Sequence, residues 1–446
     1  MSTVKLVKPI LSHVSQDGEL LETIFDTHTQ KTFFACKRGD DIQFLSKSSS
    51  QHTDYIPYPP TNSLLQNDIV LLASGIDKPV PITTIAEEIQ TYIHKYVDVS
   101  PLFEKIASYY VLLSWVYDRF NELPYLRVRG DYGSGKTRFL LVVGALCYKP
   151  IFASGASTIS PIFHMLDAIG GTLVIDEADF RFSDEKTDIV KLLNNGNVKG
   201  FPILRSEADP KKGFNPRAFH VFGPKLVATR GRYQDQALES RFITEDMSGR
   251  RLRDDIAVSL DSHYKHEAQQ IRNKLLAFRF ANFHAVKTKP HRVDGPMEPR
   301  LRQIFLPLLS LIDCETTRQD ILDFAIDTNA RSRSHQAMQI EVQILSILRD
   351  LLQASRTQPI AVKEIWALHQ KKHTKHPADL ITPRRIGSLL RNKFYLSTYK
   401  SNGNYLVHIP DVKQLEATMH RYGVSNADSL ACPNIPLSAT HRSIGP

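Results

Sequence analysis

The spacing of apolar positions changes near residue 80, and the change divides the chain. Before it, LLETIF, KTFFAC and DIQFLSK are short β-prone runs separated by DTHTQ and KRGDD turns. NDIVLLASG adds a further candidate strand, and SSSQHTDYIPYPPTNS between them reads as an exposed loop. A small β module is therefore predicted over residues 1–80. From Thr84 the period becomes helical: Ile85, Ile89, Ile93 and Tyr96 share one face, and a second helix runs from about Pro101 to Phe120. PYLRVRG then reads as a strand, GDYGSGKT as a loop and TRFLLVVGALC as a helix. Strands alternate with helices to about residue 245, the signature of an α/β core on a parallel sheet. The core is assigned to 84–250, and the following stretch, 251–337, is mostly helical.

A further unit is expected over 338–412. It has three helical segments, ending with VKEIWALHQKK and TPRRIGSLLRN, and then FYLSTYKSNGNYLVHI, a hairpin turning at Asn402-Gly403. Three helices and a hairpin predict a winged helix, a relative of the helix-turn-helix. Thr382 is placed to cap the third helix and Pro383 suits its first turn. Ile386, Leu389 and Leu390 then face inward, which leaves Arg384, Arg385, Ser388 and Arg391 along an exposed flank and Lys400 near the wing tip. The tail, 425–446, is rich in proline and small polar residues and is expected to be disordered.

Composition narrows the class. The 446 residues are 42% hydrophobic and 23% charged, a globular balance with room for two or three domains. The longest apolar runs, VLLSWV and FLLVVGALC, fall well short of the roughly 20 residues that cross a bilayer, and no signal-peptide pattern opens the chain. Cys36, Cys147, Cys314 and Cys432 lie far apart without zinc spacing, which fits free thiols in a reducing cytoplasm. A soluble cytoplasmic protein with no membrane partner is the expectation. The formal charge of +9 is concentrated: residues 356–402 hold ten Lys and Arg against Glu364 and Asp379. A local excess of this kind suits a polyanion such as nucleic acid. HQKKHTKH places His369, His373 and His376 close in sequence, but their positive neighbours disfavour a bound cation.

The chemistry lies in two motifs. Residues 130–137, GDYGSGKT, fit GxxxxGK[ST] between a β-prone run and an apolar helix. Gly130, Gly133, Ser134 and Gly135 let backbone N–H groups converge on phosphate oxygens at a helix start, Lys136 neutralises the β- and γ-phosphates, and Thr137 binds Mg²⁺. About forty residues on, GTLVIDEAD runs an apolar strand into two carboxylates. Asp176 is assigned to Mg²⁺ and Glu177 to polarising the attacking water, a pairing suited to ATP hydrolysis. Asp179 follows without an assigned role.

In order, GDYGSGKT, VIDEAD, KLVATRG and ALESRFI resemble the motifs of an AAA+ ATPase. LLNNG at 192–196, Arg205, FHVFGPK at 219–225 and SRF at 240–242 bring the resemblance nearer to primase-associated ATPases of the phage and mobile-element helicase type, over about residues 105–310. The resemblance implies a sensor role for Thr229, where the family often has Asn, and an arginine finger at Arg241 that reaches a neighbouring subunit's γ-phosphate. It implies a lid over 251–337 in which Arg300 or Arg302 touches phosphate; helix phasing leaves that choice open. It implies a homo-oligomeric ring and a basic hairpin before the fourth strand that grips DNA. The candidates there, Lys199, Arg205, Lys211, Lys212 and Arg217, suit that hairpin or an ordinary surface loop equally. The fold expected is thus an AAA+ P-loop core with a helical lid, an N-terminal β module and a C-terminal winged helix. The favoured function is a DNA-dependent ATPase, a replicative helicase-like motor acting on single-stranded or forked DNA, with any primase supplied by another chain. Two alternatives stand beside it: an ATP-gated DNA-binding switch (a loader or transposition regulator), and an assembly scaffold that binds no DNA.

Overall fold

The computed structural model describes residues 5–424 except 155–156, 179–183, 207–215, 234, 250–252, 294–296, 338–339, 355–358, 374–380, 402 and 410–411. Asp179, Lys211, Lys212, His376, Asn402 and the 425–446 tail lie outside the described residues. The chain divides into two compact units, Met1–Ile326 and Asp327–Pro446.

The first unit is built on a five-stranded sheet. Its strands are β1 (Tyr125–Arg129), β2 (Ile151–Ser154), β3 (Leu173–Asp176), β4 (Lys225–Thr229) and β5 (Phe242–Asp246), in the order β5-β1-β4-β3-β2. Every pairing is parallel. Helices and connecting segments cover both faces, so the inner strands β3 and β4 are buried along nearly their whole length, every residue of β4 included. Because the strands run one way, Arg129, Asp176, Thr229 and Asp246 all end at one edge, where such sheets bind ligands. The β1–β2 crossover is the helix Lys136–Gly144, which buries Phe139, Leu140, Val142 and Val143. Helices Ile82–Tyr96 and Pro101–Trp115 pack beside it. The second starts cleanly because Ser100 accepts from the Phe103 N–H and Pro101 needs no donor there.

The N-terminal strands Ser12–Val14, Leu20–Asp26, Lys31–Arg38 and Asp41–Leu45 form an antiparallel sheet in chain order. Two readings of this region need correction. The 48–63 stretch contains a strand, Thr53–Pro57, paired parallel with Leu6–Ile10. NDIVLLASG forms no ladder; Val70 makes a single bridge to Ile151. Its apolar character comes from packing instead, since Val70, Leu72 and Ala73 are buried in the core clusters. The strand Leu20–Asp26 is fastened to the rest of the first unit through Glu22, which accepts from the Tyr148 hydroxyl at 2.7 Å and from Arg279 Nε at 2.8 Å. Arg279, on the helix His263–Asn282, also pairs with Asp118 at 2.8 Å and donates to the Trp115 carbonyl at 2.6 Å.

The second unit holds helices Ile340–Ala354, Val362–His373 and Pro383–Asn392, and the hairpin Ser397–Ser401 with Asn404–His408. Thr382 accepts from the Arg385 N–H and Pro383 occupies the first turn. Ile386 and Leu390 are fully buried, with Leu389 packed against their cluster. A further helix, Val412–Arg421, lies past the point where the sequence reading closes this unit. It buries Leu415 and Met419 in the same cluster.

Candidate functional site

At the C-terminal edge of the sheet the chain leaves β1 through Gly130 and turns back into the helix Lys136–Gly144. Gly133 and Gly135 have φ of 76° and 87°, the left-handed region that side chains disfavour. Gly135 is also the N-cap and supplies no side-chain acceptor, so the first-turn N–H groups face outward without a cap, as an anion site requires. Lys136 Nζ donates to the carbonyls of Gly130 (2.8 Å) and Asp131 (2.6 Å) and lies 3.4 Å from Ser134 Oγ, bridging the loop it anchors.

Thr137 Oγ1 donates to Asp176 Oδ2 at 2.6 Å, while Asp176 Oδ1 accepts from the Glu177 N–H at 2.8 Å. A hydroxyl and a carboxylate are thus brought together from two elements. This all-oxygen donor pair fits Mg²⁺, which takes few protein ligands and keeps the rest for water and phosphate. Glu177 itself has φ of 53°, uncommon for a non-glycine residue. That turn throws its side chain outward at the strand end, 70% exposed, and Arg230 on the adjacent β4 end comes within 3.5 Å of its carboxylate. Thr229 is buried; its hydroxyl donates to the Gly231 carbonyl at 3.0 Å and its carbonyl accepts from the Gly130 N–H at 3.1 Å. Thr229 therefore braces the loop, and Arg230, to which the sequence reading gave no role, is the β4 residue beside Glu177. Only its position after a strand end could have flagged it. Arg129 pairs with Asp246 at 2.5 Å on the same edge. Burial raises the Asp246 pKa, but hydrogen bonds from Arg129 and Ser248 outweigh it and bring the carboxyl down to about 2.

Arg241, Arg300 and Arg302 are not brought to this group. The Arg241 carbonyl accepts from the Tyr125 N–H, at the start of β1, while the phosphate-type loop follows its end. Roughly 15 Å of strand lies between. Arg241 is held by Asn197 Oδ1 at 2.9 Å, by the Ala237 carbonyl and by the Asn194 carbonyl at 3.3 Å. Burial and then the neighbouring Arg300 guanidinium lower its pKa. Arg300 donates to Gln303 at 2.7 Å, and Gln303 in turn bonds Glu122, again at the β1 start. Arg302 is exposed on the same helix, Pro299–Leu309.

Of the candidates for nucleic acid, Lys211 and Lys212 are outside the described residues. The strands flanking them, Ile203–Ser206 and Pro216–Phe219, pair antiparallel. Arg205 on the first is engaged with Asp188 at 2.5 Å, and Arg217 on the second with Asp167 at 3.3 Å. In the second unit Arg384, Arg385, Arg391 and Lys400 are all exposed. Arg391 reaches across to the hairpin and donates to Thr398 Oγ1 at 2.9 Å. Among the described residues, no acid pairs with Arg384, Arg385, Lys393 or Lys400. His369, by contrast, is buried and bonded to Gln343 at 2.8 Å, with the His373 ring 5.4 Å away.

No family model matches the chain, and no curated protein does. Among solved structures, the apo C-terminal region of NrS-1 (305–718) is similar at 10% identity and a TM-score of 0.36, covering 87% of this chain and 95% of that one. A full-length MCM homolog from Methanopyrus kandleri is similar at 11% identity and a TM-score of 0.35, covering 67% and 69%. The JCV helicase is similar at 9% identity and a TM-score of 0.25, covering 56% and 61%. With identities near one residue in ten, the reading of the site rests on its own geometry.

Proposed function

We propose that this chain is an AAA+-type P-loop ATP hydrolase coupled to DNA, a helicase-like motor of a phage or mobile element. The observation that carries the proposal is the meeting of Lys136, Thr137, Asp176, Glu177 and the Thr229–Arg230 strand end at one edge of a parallel sheet. Bound Mg-ATP would supply the phosphoanhydride that is cleaved. The uncapped helix start and Lys136 would hold its phosphates, Thr137 and Asp176 its metal. Glu177, at the exposed strand end, would take the proton from the attacking water. Arg241 and Arg300 would serve the site of an adjacent copy, so the working form is an oligomer, a ring in the family this sequence resembles. The segments 251–337 and 338–412 would act as lid and winged helix, the latter supplying Arg384, Arg385, Arg391 and Lys400 to DNA phosphates. Lys211 and Lys212 would contact DNA from the separate proposed pore hairpin before β4, and a separate primase would complete the machinery.

The test is ATP hydrolysis with and without single-stranded DNA, on the wild type and Glu177→Gln. Stimulation by DNA that vanishes in the variant supports the motor. Hydrolysis that DNA leaves unchanged, in a protein that still binds DNA, favours the ATP-gated switch. Absence of both hydrolysis and DNA binding overturns the proposal in favour of a protein scaffold.

A further inference from the structure

The hairpin of the second unit carries aromatic rings where a purely phosphate-binding wing needs only cations. Tyr405 is 56% exposed and, among the described residues, its ring meets no other ring and no cation. The register fixes what surrounds it. Lys400 stands directly opposite Tyr405, and Thr398 opposite Val407. Directly paired residues share a face and alternate residues oppose it, so Thr398, Lys400, Tyr405 and Val407 lie on one side of the hairpin. That side is the one Arg391 reaches, through its bond to Thr398. Val407 is buried beneath it, which fixes this face against the unit's core at its base and leaves Lys400 and Tyr405 projecting beyond. Tyr399, 46% exposed, lies on the reverse face with Leu406 and His408.

Two cations on one side of an exposed ring suit one ligand chemistry: phosphates along a strand with a base face beside them. In a duplex the base faces are covered by their neighbours, and only an unpaired base can lie flat on a tyrosine. We propose that Tyr405 is a stacking platform for an unpaired base, and that the Arg391–Lys400–Tyr405 face binds single-stranded nucleic acid in preference to duplex. The inference rests on the reading of this unit as nucleic-acid-binding and adds to it the strand state recognised and the residue that recognises it.

The experiment measures binding of the full-length protein to labelled oligo-dT and oligo-U of about 20 nucleotides, a length that spans several stacked bases, and to a duplex of the same length. Tyr405→Ala is expected to lose about tenfold in affinity for the single strands, with little change for the duplex. Tyr405→Phe keeps the wild-type affinity, and Tyr399→Ala, on the reverse face, changes it less than about twofold. Lys400→Ala is distinguished by its salt dependence: the slope of log affinity against log salt falls by about 0.7, whereas Tyr405→Ala leaves the slope unchanged. Comparison of oligo-dT with oligo-U separates a DNA from an RNA occupant. Equal losses on single strand and duplex, or no loss in Tyr405→Ala, overturns the stacking proposal while the basic surface stands. A wild-type protein that binds none of the probes overturns the nucleic-acid reading of the unit and this inference with it, and leaves a protein partner for the tyrosine face.

Discussion

Arg279 and Glu22, 257 positions apart in the sequence, meet at 2.8 Å in the interior of the first unit. Both are almost completely buried, and the pair is closed by Asp118 and the Tyr148 hydroxyl. Burial lowers the Arg279 pKa, but Tyr148, Asp118 and Glu22 outweigh it and raise it well above its ordinary value. Glu22→Ala leaves the guanidinium with one carboxylate where it had two, and removing one partner of a buried pair costs about 3–5 kcal/mol. We expect a marked fall in the thermal midpoint of the full chain. Glu22→Gln, which keeps an acceptor, falls less. Equal midpoints for wild type and Glu22→Ala would show that the N-terminal strands do not support the core.

Glu177→Gln keeps the shape of the strand end and removes the carboxylate proposed as the base. Hydrolysis is expected to fall by about 10²–10⁴ while Mg-ATP affinity stays near wild type. Lys136→Ala behaves in the opposite sense and loses affinity. A fluorescent-nucleotide titration beside a phosphate-release assay separates the two.

Arg241 stands at the β1 end opposite the phosphate-type loop, which makes a mixing experiment decisive. Under the proposed finger role, Arg241→Ala alone is expected to lose ~10³-fold or more in hydrolysis. Mixed with Glu177→Gln subunits, it regains part of the activity, because one intact Arg241 can then face one intact Glu177. No recovery on mixing would mean that Arg241 does not work across an interface.

Lys225 gives a pH prediction. It is fully buried at the start of β4, and its ammonium donates to the carbonyls of Val221 (2.9 Å) and Gly223 (2.7 Å). Burial pulls its pKa down to about 7. Between that value and its ordinary pKa, the unfolded chain holds the proton and the folded chain does not. Stability from this group therefore rises with pH from about 7 towards 10, by at most about 1.4 kcal/mol per pH unit. The midpoint difference between wild type and Lys225→Met is expected to shift towards the wild type between pH 7 and pH 9; a flat difference would mean that Lys225 does not titrate there.

Much of this was legible because it rests on local rules. The P-loop pattern, the apolar strand before Asp176, the Thr382 cap and the strands of the C-terminal hairpin are each written in a few adjacent residues. What escaped was relational. Nothing in GTLVIDEAD or KLVATRG says that Arg230 will stand beside Glu177, because that depends on β4 lying next to β3. The placement of Arg300 beside Arg241 rather than the phosphate-type loop depends on how Pro299–Leu309 packs, which helix phasing could not decide. NDIVLLASG misled because burial against neighbouring elements and membership of a sheet demand the same apolar residues.

The Arg279–Glu22 contact also sets an order of events during synthesis. Glu22 leaves the ribosome early, and its partner follows only after the whole sheet has been made. Until then the strand Leu20–Asp26 carries a carboxylate with no guanidinium to meet it, and a contact of such long range closes late in folding. A strand made ahead of its partner is therefore among the last to be locked, and a chain interrupted anywhere between Glu22 and Arg279 leaves that strand unfastened.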